Sequence, residues 1–444
     1  MKSSPTKRIL FVAPESFPVN GAEAIVNVKL LKVLCEAGYI IDVVSRKRKW
    51  TDYPLSELKE TGIQLNSLHV VEVDNKFNIS TIWLHILTFF TFGIVYKGAH
   101  WAYSALQVCK RLARLNNYDA IITKSSPSEL VGYWFKKKKN IKWIATWNDP
   151  FPMEKYPAPY GMGPNAKGFI CAKNLIRVME LFPDYHIFPS DRLRDYMLQY
   201  LNVPVEKTRI IAHVSFSEKR QNVPVSGNVL RILHSGNVNY PRNPFIFLDG
   251  LFLFLQDVPD ASIQVDFLGV LPHGFDDKVN ELGLQSVVKG LLPVQYQESL
   301  TILQRYHIAM LIEASCEIGI FLPTKVGDYM QSKKPIFAVS PVCGVLNDLY
   351  QKEYVGYFAD CNDKTGIKEE LNKIYADYQQ NKINVMKIGI ITMHRVLNIG
   401  SVLQAYATQK AFEKLGYDSE LIDYMYISKT KTSIKSKILS FGLN

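Results

Sequence analysis

The chain has 444 residues, 47% of them hydrophobic and 21% charged, and a formal net charge of +11. That balance is ordinary for a soluble globular protein of two to three domains with sizeable cores. The positive excess suits an anionic partner such as nucleotide phosphates, a lipid diphosphate or an anionic membrane surface, and the usual nucleic-acid signatures are missing. Six cysteines occur without CxxC spacing or a Cys/His cluster, which excludes an ordinary zinc site and fits free, buried thiols in a reducing cytoplasm.

In chain order, "RILFVA" (8–13) is an apolar run stopped by Pro14, a buried first strand and not a signal peptide. "GAEAIVNVKLLKVLCEAG" follows with apolar residues at helical spacing and Gly38 at the C-cap position. "YIIDVVSR" completes a βαβ opening of the doubly wound type. Ile79 to Tyr96 is the most hydrophobic stretch, borderline in length for a membrane span and weakened by His85, threonines and Gly93. It reads as a buried helix or as a helix lying in the membrane interface. "YDAIITKSSP" (118–127), "IKWIATWNDP" (141–150) and "YHIFPSD" (185–191) are further strands. "FKKKKNIKW" (135–143) sets five lysines beside aromatics. With 79–96 it suggests peripheral contact with an anionic membrane on the inner face of the cell membrane; otherwise the protein is expected in the cytoplasm.

Residues 205–228 are rich in turn and polar residues and read as a domain boundary. A second series follows: "LRILHSGN", the apolar helix "NPFIFLDGLFLFLQDV", the strands "IQVDFLG" and "HIAMLIE", the helix "PTKVGDYMQSKK", the strand "PIFAVS" and an amphipathic closing helix at 365–382. The expected fold is therefore α/β, with two doubly wound Rossmann-like domains, 1–205 and 228–385, facing across a cleft, plus a short C-terminal piece, 386–444. Ligands bind at the carboxyl ends of such strands and between such domains.

On "NGAEAIVNVKLLKVLCEAG", "HSGNVNYPRNPFIFLDGL", "VDFLG" and "LPTKVGDYMQSKKPIFAVSP", residues 8–385 resemble GT-B-fold glycosyltransferases, close to the retaining enzymes of family 4. The resemblance implies a hexosyltransferase-like enzyme. It would move a sugar from a UDP- or GDP-linked donor to a lipid-linked glycan acceptor in capsule, exopolysaccharide or O-antigen synthesis. Gly21 would expose helix N–H groups to the donor, an ordinary βα turn being the alternative. Gly236 and Asn237 would let backbone approach the diphosphate, and Arg242 would neutralise the leaving group. The family often adds a lysine five or six residues later; Phe247 and Leu248 stand there. Thr324 and Lys325 would meet phosphates at a helix start, Lys325 supplying the second cation. Asp328 falls on the second glutamate of the family motif and would accept from the ribose hydroxyls. The first glutamate's position is Ile320, so Glu317 would need a shifted loop to serve. Asp149 would orient the sugar or assist the acceptor hydroxyl. No Asp-x-Asp pair and no P-loop occur, and neither metal nor cofactor is expected beside the nucleotide sugar.

"MKIGIITMHRVLNIGSVLQAYATQKAFEKLGYDSELIDY" starts a second strand–helix–strand plan at Met386. Through His394, Asn398 and Gly400 it resembles the N-terminus of polysaccharide pyruvyl transferases. Met386 reads as the start of a second, joined reading frame, the alternative being a genuine remnant that docks on the preceding domains. The rival functional readings are a pyruvyl transferase and a non-catalytic sugar- or nucleotide-binding relic.

Overall fold

The computed structural model describes residues 7–17, 21–47, 61–72, 79–92, 98–124, 126–166, 172–215, 225, 227–383, 388–391, 406–410 and 419–422. The chain divides into two compact units, Met1–Ile383 and Asn384–Asn444.

The first unit carries two parallel sheets. Strands β1 (Arg8–Val12), β2 (Ile40–Arg46), β3 (Ser67–Val71), β4 (Ala120–Lys124), β5 (Lys142–Thr146), β6 (Tyr185–Phe188) and β7 (Thr208–Ile210) form the first, in the order β3-β2-β1-β4-β5-β6-β7. Its central strands are apolar on both faces because helices cover both; Phe11, wholly buried, pairs with Val43 on one side and Ile122 on the other. Its helices are α1 (Ala22–Glu36), α2 (Ile79–Phe92), α3 (Ala99–Leu115), α4 (Ser128–Lys139), α5 (Ala172–Leu181) and α6 (Asp191–Met197). Ser190 caps α6, its hydroxyl accepting from the Leu193 N–H at 3.2 Å.

Two expectations need revision here. The stretch read as a linker supplies β7, whose Thr208–Ile210 pair with His186–Phe188, so the first sheet continues past residue 205. The apolar stretch is helical over Ile79–Phe92 but is not buried: Trp83 is 67% and Phe90 76% exposed. Residues 93–96 lie outside the described residues. Among the described residues no helix is long and apolar enough to cross a membrane.

The second sheet comprises β8 (Leu230–Ser235), β9 (Ile263–Leu268), β10 (Val288–Leu291), β11 (Ile308–Ile312), β12 (Ile336–Ser340) and β13 (Tyr357–Asp360), in the order β10-β9-β8-β11-β12-β13. Helices α7 (Phe245–Asp257), α8 (Phe275–Glu281), α9 (Tyr296–Leu303), α10 (Lys325–Gln331), α11 (Val345–Gln351) and α12 (Lys364–Gln379) accompany it. Phe247, Leu251 and Phe254 of α7 share one core cluster with Ile367, Leu371 and Ile374 of α12. Each such side chain, fully buried, contributes roughly 2 kcal/mol through the hydrophobic effect. Arg192 of α6 and Asp348 of α11 form a two-pronged ion pair between the two halves, Nη2 to Oδ1 at 2.7 Å.

In the second unit β14 (Ile388–Ile391) pairs in parallel with β15 (Ser419–Ile422), Ile388 opposite Ser419. A helical stretch at 406–410 lies between them in sequence, as a parallel pair requires a crossover. His394, Asn398 and Gly400 lie outside the described residues.

Candidate functional site

Strand order reverses direction between β1 and β4 in the first sheet and between β8 and β11 in the second. Beyond the carboxyl ends of strands at such switch points a doubly wound sheet leaves a crevice. The two crevices form one cleft of about 1170 Å³, lined by Gly21, Glu23, Asn148 and Asp149 from the first half and by Gly236, Asn237, Arg242, Glu313, Thr324, Lys325 and Asp328 from the second.

On the second side, β8 ends in Ser235 and the chain turns through Gly236 at φ +111°. A Cβ there would collide with Lys325 Nζ and lie 2.6 Å from its Cε. Only glycine combines that backbone with that neighbour. The Asn237 side chain holds the next turn, its Oδ1 accepting from the Val270 N–H at 2.9 Å. Lys325 opens α10, with Thr324 at the N-cap. Burial and the nearby Arg242 guanidinium lower its pKa to about 8. The Lys325 ammonium makes no hydrogen bond or close ion pair among the described residues, and the Glu313 carboxylate acts on it from further off, opposing the lowering. Arg242 sits 3.3 Å from Glu313, both nitrogens Nε and Nη2 engaged, and that carboxylate raises its pKa. Wholly buried His234 lies beneath this pair of cations. Burial first, then Lys325 and Arg242, keep it neutral, and its Nδ1 has no partner among the described residues.

Asp328 is 5% exposed. Its Oδ1 accepts from Lys29 Nζ of α1 at 2.5 Å and from the Tyr296 hydroxyl at 2.7 Å. The Lys29 ammonium also lies 5.3 Å from the centroid of the Tyr296 ring. Asp328 thus lines the cleft while tying α10 to α1.

On the first side, Gly21 takes φ +92° immediately before α1. Asp149 follows β5 and remains accessible from the cleft, yet protein surrounds it closely. That burial, reinforced by the Glu23 carboxylate, raises its pKa to about 6 against the opposing hydrogen bond from Tyr156 and the charge of Lys124. A short chain of polar contacts fixes its neighbours: Lys124 Nζ donates to Asn148 Oδ1 at 3.3 Å, and Asn148 Nδ2 donates to Glu23 Oε2 at 2.6 Å. His213, also at the cleft wall, is held neutral with a pKa of about 3 by burial and by Lys124 and Lys29.

Of the residues expected from sequence, Gly21, Asp149, Gly236, Asn237, Arg242, Thr324, Lys325 and Asp328 are brought to this cleft. Glu317 is not: it is exposed and absent from the cleft lining among the described residues. The loop is held otherwise, because Ile320 is fully buried in the first half's apolar cluster and its carbonyl accepts from Ser190 Oγ at 3.2 Å. Glu313, directly after β11, lines the cleft on the second side and is paired there with Arg242. Glu313, Glu23 and Lys29 were not anticipated; the position of Glu313 at a strand's carboxyl end was the available signal. Among the described residues no group of three His, Cys, Asp or Glu side chains could hold a metal ion.

No protein-family model and no curated protein matches the chain. Solved structures share its fold. A glycosyltransferase from Rickettsia africae aligns with TM-score 0.59 at 12% identity, over 86% of this chain and 91% of that one. The Anabaena protein HepE, in complex with UDP and glucose, aligns with TM-score 0.54 at 15% identity, over 84% and 91%. The lipopolysaccharide outer core galactosyltransferase WaaB aligns with TM-score 0.53 at 12% identity, over 92% and 99%. The two Rossmann-like domains therefore form a GT-B-type fold.

Proposed function

We propose that the protein is a glycosyltransferase that moves a sugar from a UDP- or GDP-linked donor to a hydroxyl of a lipid-linked glycan, with retention of anomeric configuration. The observation that carries this reading is Lys325, an ammonium group with no close ion pair among the described residues, held beside Arg242 at a turn whose glycine leaves the backbone bare. Such a pair of cations suits a diphosphate. In the reaction the bond from the sugar's anomeric carbon to the diphosphate oxygen breaks, and a bond to the acceptor oxygen forms. Negative charge grows on the departing diphosphate. Lys325 and Arg242, already in place, stabilise that charge more in the transition state than in the bound donor. Two protein cations take the part a divalent metal would otherwise play, so the reaction is read as metal-independent. Asp149, on the opposite wall with a pKa of about 6, is ionised near neutrality and basic enough to orient the acceptor hydroxyl and draw on its proton.

The similarity to HepE with UDP and glucose, and to WaaB, supports a nucleotide-sugar donor and a cell-surface glycan acceptor. We read residues 8–385 as close to the retaining enzymes of family 4. Residues 386–444 read as the opening of a pyruvyl-transferase-like unit, a reading supported by the parallel β14–β15 pair.

The test is a thermal-shift titration of the full chain with UDP and with GDP, beside Lys325→Ala and Arg242→Ala. A ligand that binds only the folded state raises its melting temperature by mass action. A shift with one nucleotide, lost in both variants, is expected. No shift with either nucleotide would sink the donor assignment.

A further inference from the structure

Helix α2 presents its apolar residues outward. Ile79, Ile82, Trp83, Ile86, Leu87 and Phe90 are all exposed, Trp83 at 67% and Phe90 at 76%. Their spacing of three and four places them on a single stripe. The helix contains no Asp, Glu, Lys or Arg at all. Buried Leu84 lies on the side packed towards the rest of the unit, where α2 touches α3 and α5. A continuous exposed stripe of this kind marks a surface that something covers.

The charge around it says what. Strands β4, β5 and β6 are parallel, and α3, α4 and α5 precede them in turn. Each of these helices therefore runs back to the same edge of the sheet, and their last turns gather there. Helix α3 has no acidic residue and carries Lys110, Arg111 and Arg114. Helix α4 ends in Lys136, Lys137, Lys138 and Lys139; Lys136 is paired with Asp184 at 2.7 Å, and the other three are exposed. Cations at helix ends are ordinary in themselves. Here they lie in the same half as an uncharged apolar stripe that bears Trp83 and Phe90, on a helix that packs against α3.

We infer that this face docks on a membrane surface bearing anionic lipid, with the α2 stripe lying among the acyl-chain ends of the headgroups and the α3 and α4 cations meeting lipid phosphates. Trp and Phe suit that boundary. Over its 14 described residues α2 is shorter than the ~20 residues a bilayer core takes. A second copy fits less well. A two-fold pairing through α2 would bring like-charged edges together. The inference does not depend on the donor site, and its test needs no nucleotide.

The full chain is mixed with vesicles of phosphatidylcholine alone and with vesicles in which phosphatidylglycerol replaces a third of it. Co-sedimentation gives the bound fraction, and the part of the tryptophan emission change that is lost in Trp83→Ser/Phe90→Ser reports transfer of Trp83 from water, since the chain has six tryptophans. Binding to the anionic vesicles should exceed binding to the neutral ones by about tenfold or more. The pair Trp83→Ser/Phe90→Ser should weaken it by at least about tenfold through lost apolar burial. The triple Lys137→Glu/Lys138→Glu/Lys139→Glu should remove the preference for phosphatidylglycerol. All substituted positions are exposed, and unchanged melting temperatures confirm folded variants. Equal binding by wild type and both variants overturns the inference. So does absence of binding, and so does a wild-type dimer that Trp83→Ser/Phe90→Ser turns into a monomer in light scattering.

Discussion

Lys29 and Asp328, 299 positions apart in the chain, meet at 2.5 Å in an ion pair of which each side chain is at most 6% exposed. It joins α1 of the first half to α10 of the second, and Tyr296 completes it. Removing one partner leaves the other buried and uncompensated, which costs about 3 kcal/mol or more. Lys29→Met and Asp328→Asn should each lower unfolding stability by that order in urea titrations. Lys29→Met/Asp328→Leu should recover much of the loss, since both charges are gone. The double variant should still lose nucleotide binding if Asp328 meets the ribose. Single-variant losses under about 1 kcal/mol would mean that the pair is solvated, as surface pairs are.

Lys325 should make nucleotide affinity depend on pH. Its pKa is lowered to about 8 by burial and by Arg242. The ammonium is charged below that value and neutral above it, while a bound diphosphate favours the charged form. Affinity for UDP or GDP should therefore hold up to about pH 7 and fall roughly tenfold by about pH 9. Calorimetric titration across that range checks the slope. Lys325→Met should bind weakly throughout and show no such fall; a wild-type curve as flat as the variant's would rule Lys325 out as the diphosphate's partner.

The sequence showed the centre of each sheet and missed the edges. β1, β2, β4, β5 and β6, and β8, β9, β11 and β12, were all legible as apolar runs because helices bury both their faces. β3, β7, β10 and β13 were not, and these four are the outermost strands of the two sheets. "TRI" and "VKGL" are short, with exposed residues and no sustained pattern. The site behaves likewise. Gly236, Arg242 and Lys325 stand out because they follow a strand or open a helix. The Lys29–Asp328 pair is invisible in sequence, since it depends on how two halves meet. Motif spacing falls on Ile320, and it cannot report that this residue is an apolar anchor for the first half or that Glu317, three residues earlier, lies outside the cleft lining.

Gly236 tests the diphosphate turn separately from its charges. An alanine there must adopt φ near +111° and push Lys325 aside. The backbone strain costs about 1–2 kcal/mol, and the flexible lysine yields by leaving its position. Gly236→Ala should lower the melting temperature modestly and weaken nucleotide binding more than that loss of stability explains. The two effects separate in calorimetric titration well below the melting transition, where the variant is fully folded. Unchanged affinity would show that Lys325 reaches the ligand from another position.

Asp149 should carry a stability cost that reveals its environment. Its folded pKa is raised to about 6, from 3.8, chiefly by burial and then by Glu23. The folded state thus holds the proton more tightly than the unfolded chain. The ionised carboxylate is penalised at any pH above about 6, and the penalty fades as pH falls through about 6 to about 4, where both states are protonated. Asp149→Asn removes the penalty. Because water in the cleft screens the group, the gain is discounted to about 1 kcal/mol near neutrality. The variant should therefore be more stable than wild type at neutral pH and match it below about pH 4, as read from urea midpoints across the range. Sugar transfer should fall in the same variant, the usual exchange between stability and a strained functional group. A stability difference that is constant with pH would mean that Asp149 titrates as an ordinary solvated carboxylate, and its role at the acceptor would fall with it.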